Sequence, residues 1–139
     1  MEAHLALLVW SHACTVGVKA MDDQHGILLD TLNELRLALG RDSGHEQINA
    51  RLRRIVQLTR MHFQSEEQLL EQHCFPGLPE HRAAHQRLLS EISQTVDIAE
   101  RSANVEMIRL TSFLGPWYLE HIQGLDRQYG AWLNARGVF

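Results

Sequence analysis

Cysteine is scarce in this 139-residue chain: Cys14 and Cys74 stand sixty positions apart, and no CxxC pair occurs. A zinc ribbon, a thioredoxin-type redox pair and a disulfide framework are therefore excluded. Proline and glycine are also few, at 3 and 9 residues, which leaves no room for glycine-rich turn repeats or low-complexity tracts. An excess of basic charge is missing too. The 13 basic residues are scattered among 17 acidic ones, for a net charge of −4, which argues against a nucleic-acid partner. No apolar run approaches the ~18 to 20 residues of a membrane span. The run from Leu5 to Trp10 follows Glu2 rather than a basic stretch, so no secretory signal is read there. The expectation is a cytoplasmic protein with no membrane partner, folded as one domain over residues 1–139. What the chain does have in quantity is histidine, nine in all.

Apolar residues recur at helical spacing in four stretches and nowhere at strand spacing. From Asp22, the positions His25, Leu28, Leu29, Leu32, Leu35 and Leu39 form one face, and Gly40 stops it. Ser43 with Glu46 has the form of a capping box ahead of a second face made by Leu52, Ile55, Leu58, Thr59, His62, Glu66 and Leu69. Phe75 to Pro79 breaks that helix. A third face runs His81, His85, Leu88, Ile92, Val96 and Ala99, and Asn104 can cap a fourth carrying Met107, Leu110, Leu114, Trp117, Tyr118 and His121. Short loops between four helices favour antiparallel neighbours. The fold class expected is all-α, an up-down-up-down four-helix bundle over about residues 21–132, with an N-terminal arm over about residues 1–20. Gly115-Pro116 predicts a kink in the fourth helix, because Pro116 lacks an N–H and crowds the carbonyl of Ser112.

A lone histidine on an apolar helix face is usually a core residue bonded to a carbonyl, but these histidines are not alone. His62 and Glu66 are four apart, hence about 6 Å from one another on one face, and His81 and His85 repeat the spacing. His25 lies on the inward face of the first helix, and His121 with Asp126 ends the fourth. Burying these seven polar groups without a common partner would be very costly, whereas a metal satisfies them together. Five imidazoles and two carboxylates are too many for one tetrahedral zinc, and no HExxH occurs. The donor types suit iron, manganese or zinc, and their number favours two ions. The Glu-x-x-His repeat of ferritin-like bundles is absent.

Trp10, Val16-Gly17-Val18, Asp22-Asp23-Gln24-His25, His62-Phe63 with Glu66-Glu67, His81 and His85, and Trp117 with His121-Ile122 and Asp126 follow one another in an order that resembles the bacterial hemerythrins. The resemblance runs from Trp10 to about Trp132. It implies two non-heme irons, one held by His81, His85 and His121 and the other by His25 and His62. Glu66 and Asp126 would bridge the pair beside an oxo or hydroxo group. The second iron would keep an open position at which O2 binds reversibly as a hydroperoxide, for carriage, storage, delivery or sensing. Trp117, Tyr118 and Ile122 would line the O2 pocket. The alternative is a di-iron oxidoreductase acting on O2, peroxide or nitric oxide, with Tyr118 as proton or radical participant, and a further rival is a plain metal store. An O2-accepting or signalling protein partner is left open.

Two details depart from simple expectation. His121 and Asp126 are five apart, rotated by about 140° on a regular α-helix, so a π-type bulge near Gly124 is required to aim both at one spot. The residue three before the helix-four ligand is commonly leucine in hemerythrins and is Tyr118 in this chain, whose phenol is expected to donate to whatever occupies the open site. Asp22 is expected to cap the first helix or orient a ligand. His4, His12 and His45 are read as exposed and inert, Cys74 as a plain thiol, and Glu67 as solvated or as a support to a ligand. His73, about 16 Å along the helix from His62, is too far to share its metal.

Overall fold

The computed structural model describes residues 11, 14–41, 44–101 and 114–139, apart from the side chains of residues 99, 115 and 117. Helices α1 (Lys19–Gly40), α2 (His45–Gln72) and α3 (Leu78–Glu100) are followed by α4 (Leu114–His121), a π-helical turn (Ile122–Asp126) and α5 (Arg127–Asn134). His121, Asp126 and Arg127 all keep right-handed helical backbone, so α4, the π turn and α5 form one rod, the fourth of an all-helical bundle.

Two apolar clusters show how the rods run. The larger holds Leu28, Leu32, Leu35 and Leu39 of α1, Ile48, Leu52 and Ile55 of α2, Ile92 and Val96 of α3, and Leu114 and Tyr118 of α4. The smaller holds Met21 of α1, Leu70 of α2, Leu78 of α3, and Ile122, Tyr129 and Leu133 beyond α4. Residues late in α1 and α3 thus meet residues early in α2 and α4, which is the antiparallel order expected. Between the clusters, every rod carries a polar, buried residue: His25, His62 and Glu66, His81 and His85, and Asp126.

The arm is docked. Val16 and Val18 are buried in the smaller cluster and Cys14 in the larger. The Val16 amide donates to Asp22 Oδ1 at 2.7 Å, and Asn134 Nδ2 donates to the carbonyls of Gly17 at 2.9 Å and Val138 at 2.8 Å. Gly17 takes a left-handed φ of 86°, and Gly130 lets the arm backbone touch α5: a Cβ there would stand 2.0 Å from the Val16 carbonyl oxygen.

Several sequence expectations are corrected. α1 begins at Lys19, one turn before Asp22, and Asp22 does not cap it; its carboxylate holds the arm instead. α2 has Gly44 as its N-cap with no side-chain cap bond, one residue later than a Ser43 capping box requires. His45 is exposed but not idle: its Nε2–H donates to the Glu100 carbonyl at 2.8 Å, beside an Arg53 to Glu100 ion pair at 2.7 Å, so the start of α2 is fastened to the end of α3. The expected Asn104 cap, with Met107, Leu110, Trp10, His4 and His12, lies outside the described residues.

Gly130→Ala is expected to lower unfolding free energy by roughly 1–3 kcal/mol, because the added methyl must displace the arm. Gly26→Ala, whose methyl would meet nothing within 4 Å, is expected to raise it by about 0.5–1 kcal/mol. Denaturant unfolding of the two variants beside the native chain checks both signs.

Candidate metal centre

The seven donors named from sequence converge in the layer between the clusters. Glu66, His81, His85, His121 and Asp126 offer ligand atoms all within 4.8 Å of one another, as do His25, His62, Glu66 and Asp126. Glu66 and Asp126 are fully buried and belong to both groups. Their oxygens are divided. Glu66 Oε1 faces His81 Nε2 and, at 3.1 Å, His85 Nε2; Asp126 Oδ1 faces His81 Nε2 at 3.0 Å and His121 Nε2 at 3.1 Å. Glu66 Oε2 faces His62 Nε2 at 3.2 Å and His25 Nε2 at 3.7 Å, and Asp126 Oδ2 faces His25 Nε2 at 3.2 Å.

The i, i+5 pair meets because of the π turn. Widening the ring of backbone bonds over Ile122–Asp126 brings Asp126 round to the His121 side, as the spacing demanded. Gly124 is not sterically required there, since an added Cβ would meet nothing within 4 Å.

The remote edges of the imidazoles are held by protein. His62 Nδ1–H donates to Gln24 Oε1 at 2.6 Å and His85 Nδ1–H to Glu67 Oε2 at 2.9 Å, and each bond leaves the Nε2 lone pair free to face inward. Phe63 stacks on His85 with ring centres 3.7 Å apart and planes 4° from parallel. The Tyr129 hydroxyl donates to Glu66 Oε2 at 2.9 Å. Burial and then the neighbouring carboxylates push the Tyr129 phenol well above its ordinary value, so it stays a donor. The roles of Gln24 and Tyr129 were missed in sequence. Tyr129 carried a signal, three residues after Asp126 on the same inward face, and Gln24 stood in the Asp22-Asp23-Gln24-His25 motif with no role read for it.

Inward-facing atoms without hydrogen-bond partners show that the layer fits cations. His25, His62, His85 and His121 Nε2 and both Asp126 oxygens are buried and unbonded, although opposite charges or dipoles lie 3.0–3.7 Å away. They are aimed at shared points rather than at one another. Buried polar atoms are ordinarily satisfied, and nitrogen and carboxylate donors in this number suit a pair of ions such as iron. Without metal, protons do part of that work. Burial pulls His25 and His81 down, but Asp126 and Glu66 outweigh it and lift both to about 9. Burial lowers His62. It would raise Glu66, but the surrounding imidazoles hold that carboxyl well below its usual range.

Of the residues expected to line an O2 pocket, Tyr118 is buried in the larger cluster and Ile122 in the smaller. The Trp117 side chain lies outside the described residues. The Thr59 hydroxyl donates to the Ile55 carbonyl at 2.7 Å, and the Tyr118 hydroxyl meets the Thr59 hydroxyl on α2.

A bundle that gathers these donors between two dry clusters defines a helical cation-binding domain. The family profile described as the hemerythrin HHE cation binding domain matches residues 16–133, and the chain belongs to the hemerythrin family, whose members generally bind O2 at non-heme iron. It is 28% identical over 137 residues to the bacteriohemerythrin of Methylococcus capsulatus (strain ATCC 33009 / NCIMB 11132 / Bath), covering 94% of this chain and 100% of that one. To the myohemerythrin of Riftia pachyptila it is 26% identical, covering 87% and 89%. A crystal structure of wild-type hemerythrin, 27% identical, superposes with a TM-score of 0.76 over 91% of this chain and 97% of that one.

Metal uptake by the metal-free protein is expected to release protons at pH 7, from His25 and His81, and apparent affinity to rise with pH and level off near 9. The same raised values give the metal-free fold a contribution that is full below the ordinary imidazole pKa and is lost as pH rises through about 9. Calorimetric titration in buffers of different ionisation enthalpy counts the protons. Glu67→Ala, which frees His85, is expected to weaken retention about 10- to 100-fold in a chelator competition.

Proposed function

We propose that this chain holds two iron ions and binds O2 reversibly, for carriage, storage, delivery or sensing. His81, His85 and His121 would hold one ion, His25 and His62 the other, and Glu66 and Asp126 would bridge them. The observation that carries the reading is the division of oxygens: each carboxylate turns one toward each histidine group. When bound, the reduced ions would supply two electrons to O2 and recover them on its release.

The chain's own residues do the rest. Three imidazoles serve one side and two the other, so an exchangeable position would fall with His25 and His62. Gln24 and Glu67 keep His62 and His85 in the tautomer that presents Nε2. The larger cluster, from Leu28 to Tyr118, keeps one side of the layer free of water and anions, whose arrival would favour irreversible oxidation. Tyr118, buried in that cluster with its hydroxyl against Thr59, contributes bulk to it.

Elemental analysis of the native protein is expected to return two irons per chain. Anaerobic reduction followed by O2 should produce an optical change that reverses when O2 is removed, and steady multi-turnover O2 consumption instead would refute a binding role. Glu66→Ala is expected to lower iron occupancy and His45→Ala to leave it unchanged. For Tyr118→Phe, the expected result is a loss of about 1 kcal/mol of unfolding free energy with O2 release unaltered, read by denaturant titration and stopped flow.

A further inference from the structure

One opening on the described surface, of about 620 Å³, lies between α3 and the π turn over His121 and is walled by Arg87, Glu91, Glu120 and Gln128. A smaller one, of about 190 Å³, lies between α1 and α2 over His62, and no charged side chain lines it. Its walls are Ile27, Leu28, Leu58 and Met61, with Gln24, Ser65 and His62 as the polar residues, and the Gln24 carbonyl is already engaged by His62.

We propose that this cleft between α1 and α2 is a binding and access site for a small uncharged gas molecule, and that Leu28 and Leu58 are the pair such a molecule passes to reach the His25 and His62 side. Taking the gas to be O2 rests on the function proposed above; the apolar site itself does not.

Placement supports it first. Leu28 is one turn after His25 on α1, and Leu58 one turn before His62 on α2. Because the two helices are antiparallel, both leucines lie on the side of the ligand layer that faces the larger cluster. Leu28 is buried and Leu58 half-buried against that cluster, and both line the cleft, so they stand between its mouth and the packed interior beside His25 and His62. Chemistry supports it next. A lining of four aliphatic or thioether side chains favours apolar solutes, and Arg87, Glu91 and Glu120 in the larger opening favour water and ions. Size agrees, since about 190 Å³ is room enough for xenon or a diatomic gas. The mouth is made by Ile27 and Met61, both more than half exposed, and rotamer changes of such side chains are fast.

A residue that only governs passage alters arrival and departure by the same factor and leaves affinity alone. Ile27→Trp and Met61→Trp would fill the mouth from exposed positions without touching a metal donor, and Gln128→Trp would fill the other opening. Xenon-pressurised crystals of the iron-loaded native protein are expected to show xenon in the cleft, and those of Met61→Trp to lack it. In stopped flow, Ile27→Trp and Met61→Trp should slow O2 association and dissociation severalfold and equally, with Kd unchanged and Gln128→Trp at native rates. Native crystals with no xenon in the cleft would overturn the site. Native rates in both cleft variants, or slowing in Gln128→Trp alone, would overturn the route. A native protein that forms no O2 adduct overturns the function above instead, and the xenon measurement then still decides whether the cleft takes an apolar gas.

Discussion

Two carboxylates with no exposed surface, ringed by five imidazoles, set the terms for everything else in this bundle. A buried carboxylate is tolerable only where positive charge meets it. Glu66 and Asp126 each present two oxygens in opposite senses, so compensation must come from two places at once. The four rods supply it by contributing at least one donor apiece to a single layer, and the apolar clusters above and below close its two ends. The burial that makes the donors costly when empty is what makes them effective when filled.

Protons and metal compete for this layer. In the metal-free chain, the raised affinity of His25 and His81 for protons offsets the carboxylate charge, so the fold is held by a weaker version of the interaction that a cation would make. Orientation is settled independently of either. Gln24, Glu67 and Tyr129 fasten the outer edges of His62, His85 and Glu66 through neutral or charge-assisted bonds made entirely within the protein.

The helices were legible because burial imposes a 3.6-residue rhythm on Leu28 to Leu39 and Leu52 to Leu69 that needs no knowledge of partners. The π turn was legible for a sharper reason: His121 and Asp126 had to meet, and a regular helix forbids it. What escaped were features settled by contacts between elements distant in sequence. The Thr59 hydroxyl that meets Tyr118 lies 59 positions away. The close passage of the arm over Gly130 depends on where residue 16 arrives. Hydrophobic pattern reports which face is inward, and it is silent on which inward neighbours touch.

The extra residue in the turn at Ile122–Asp126 also resets the phase of everything after it. Beyond Asp126 the rod continues about 100° out of step with α4, and only in that new phase do Tyr129 reach Glu66, Gly130 meet the arm and Leu133 enter the smaller cluster. Were the same residues wound as an unbroken α-helix, Asp126, Tyr129 and the arm's landing place would all turn away from their partners in one stroke. The bulge is therefore a frame, read by the donor layer on one side and by packing on the other. Taking one residue out of it would put His121 and Asp126 four apart and return them to one face of a regular helix, whereas adding another would break the frame.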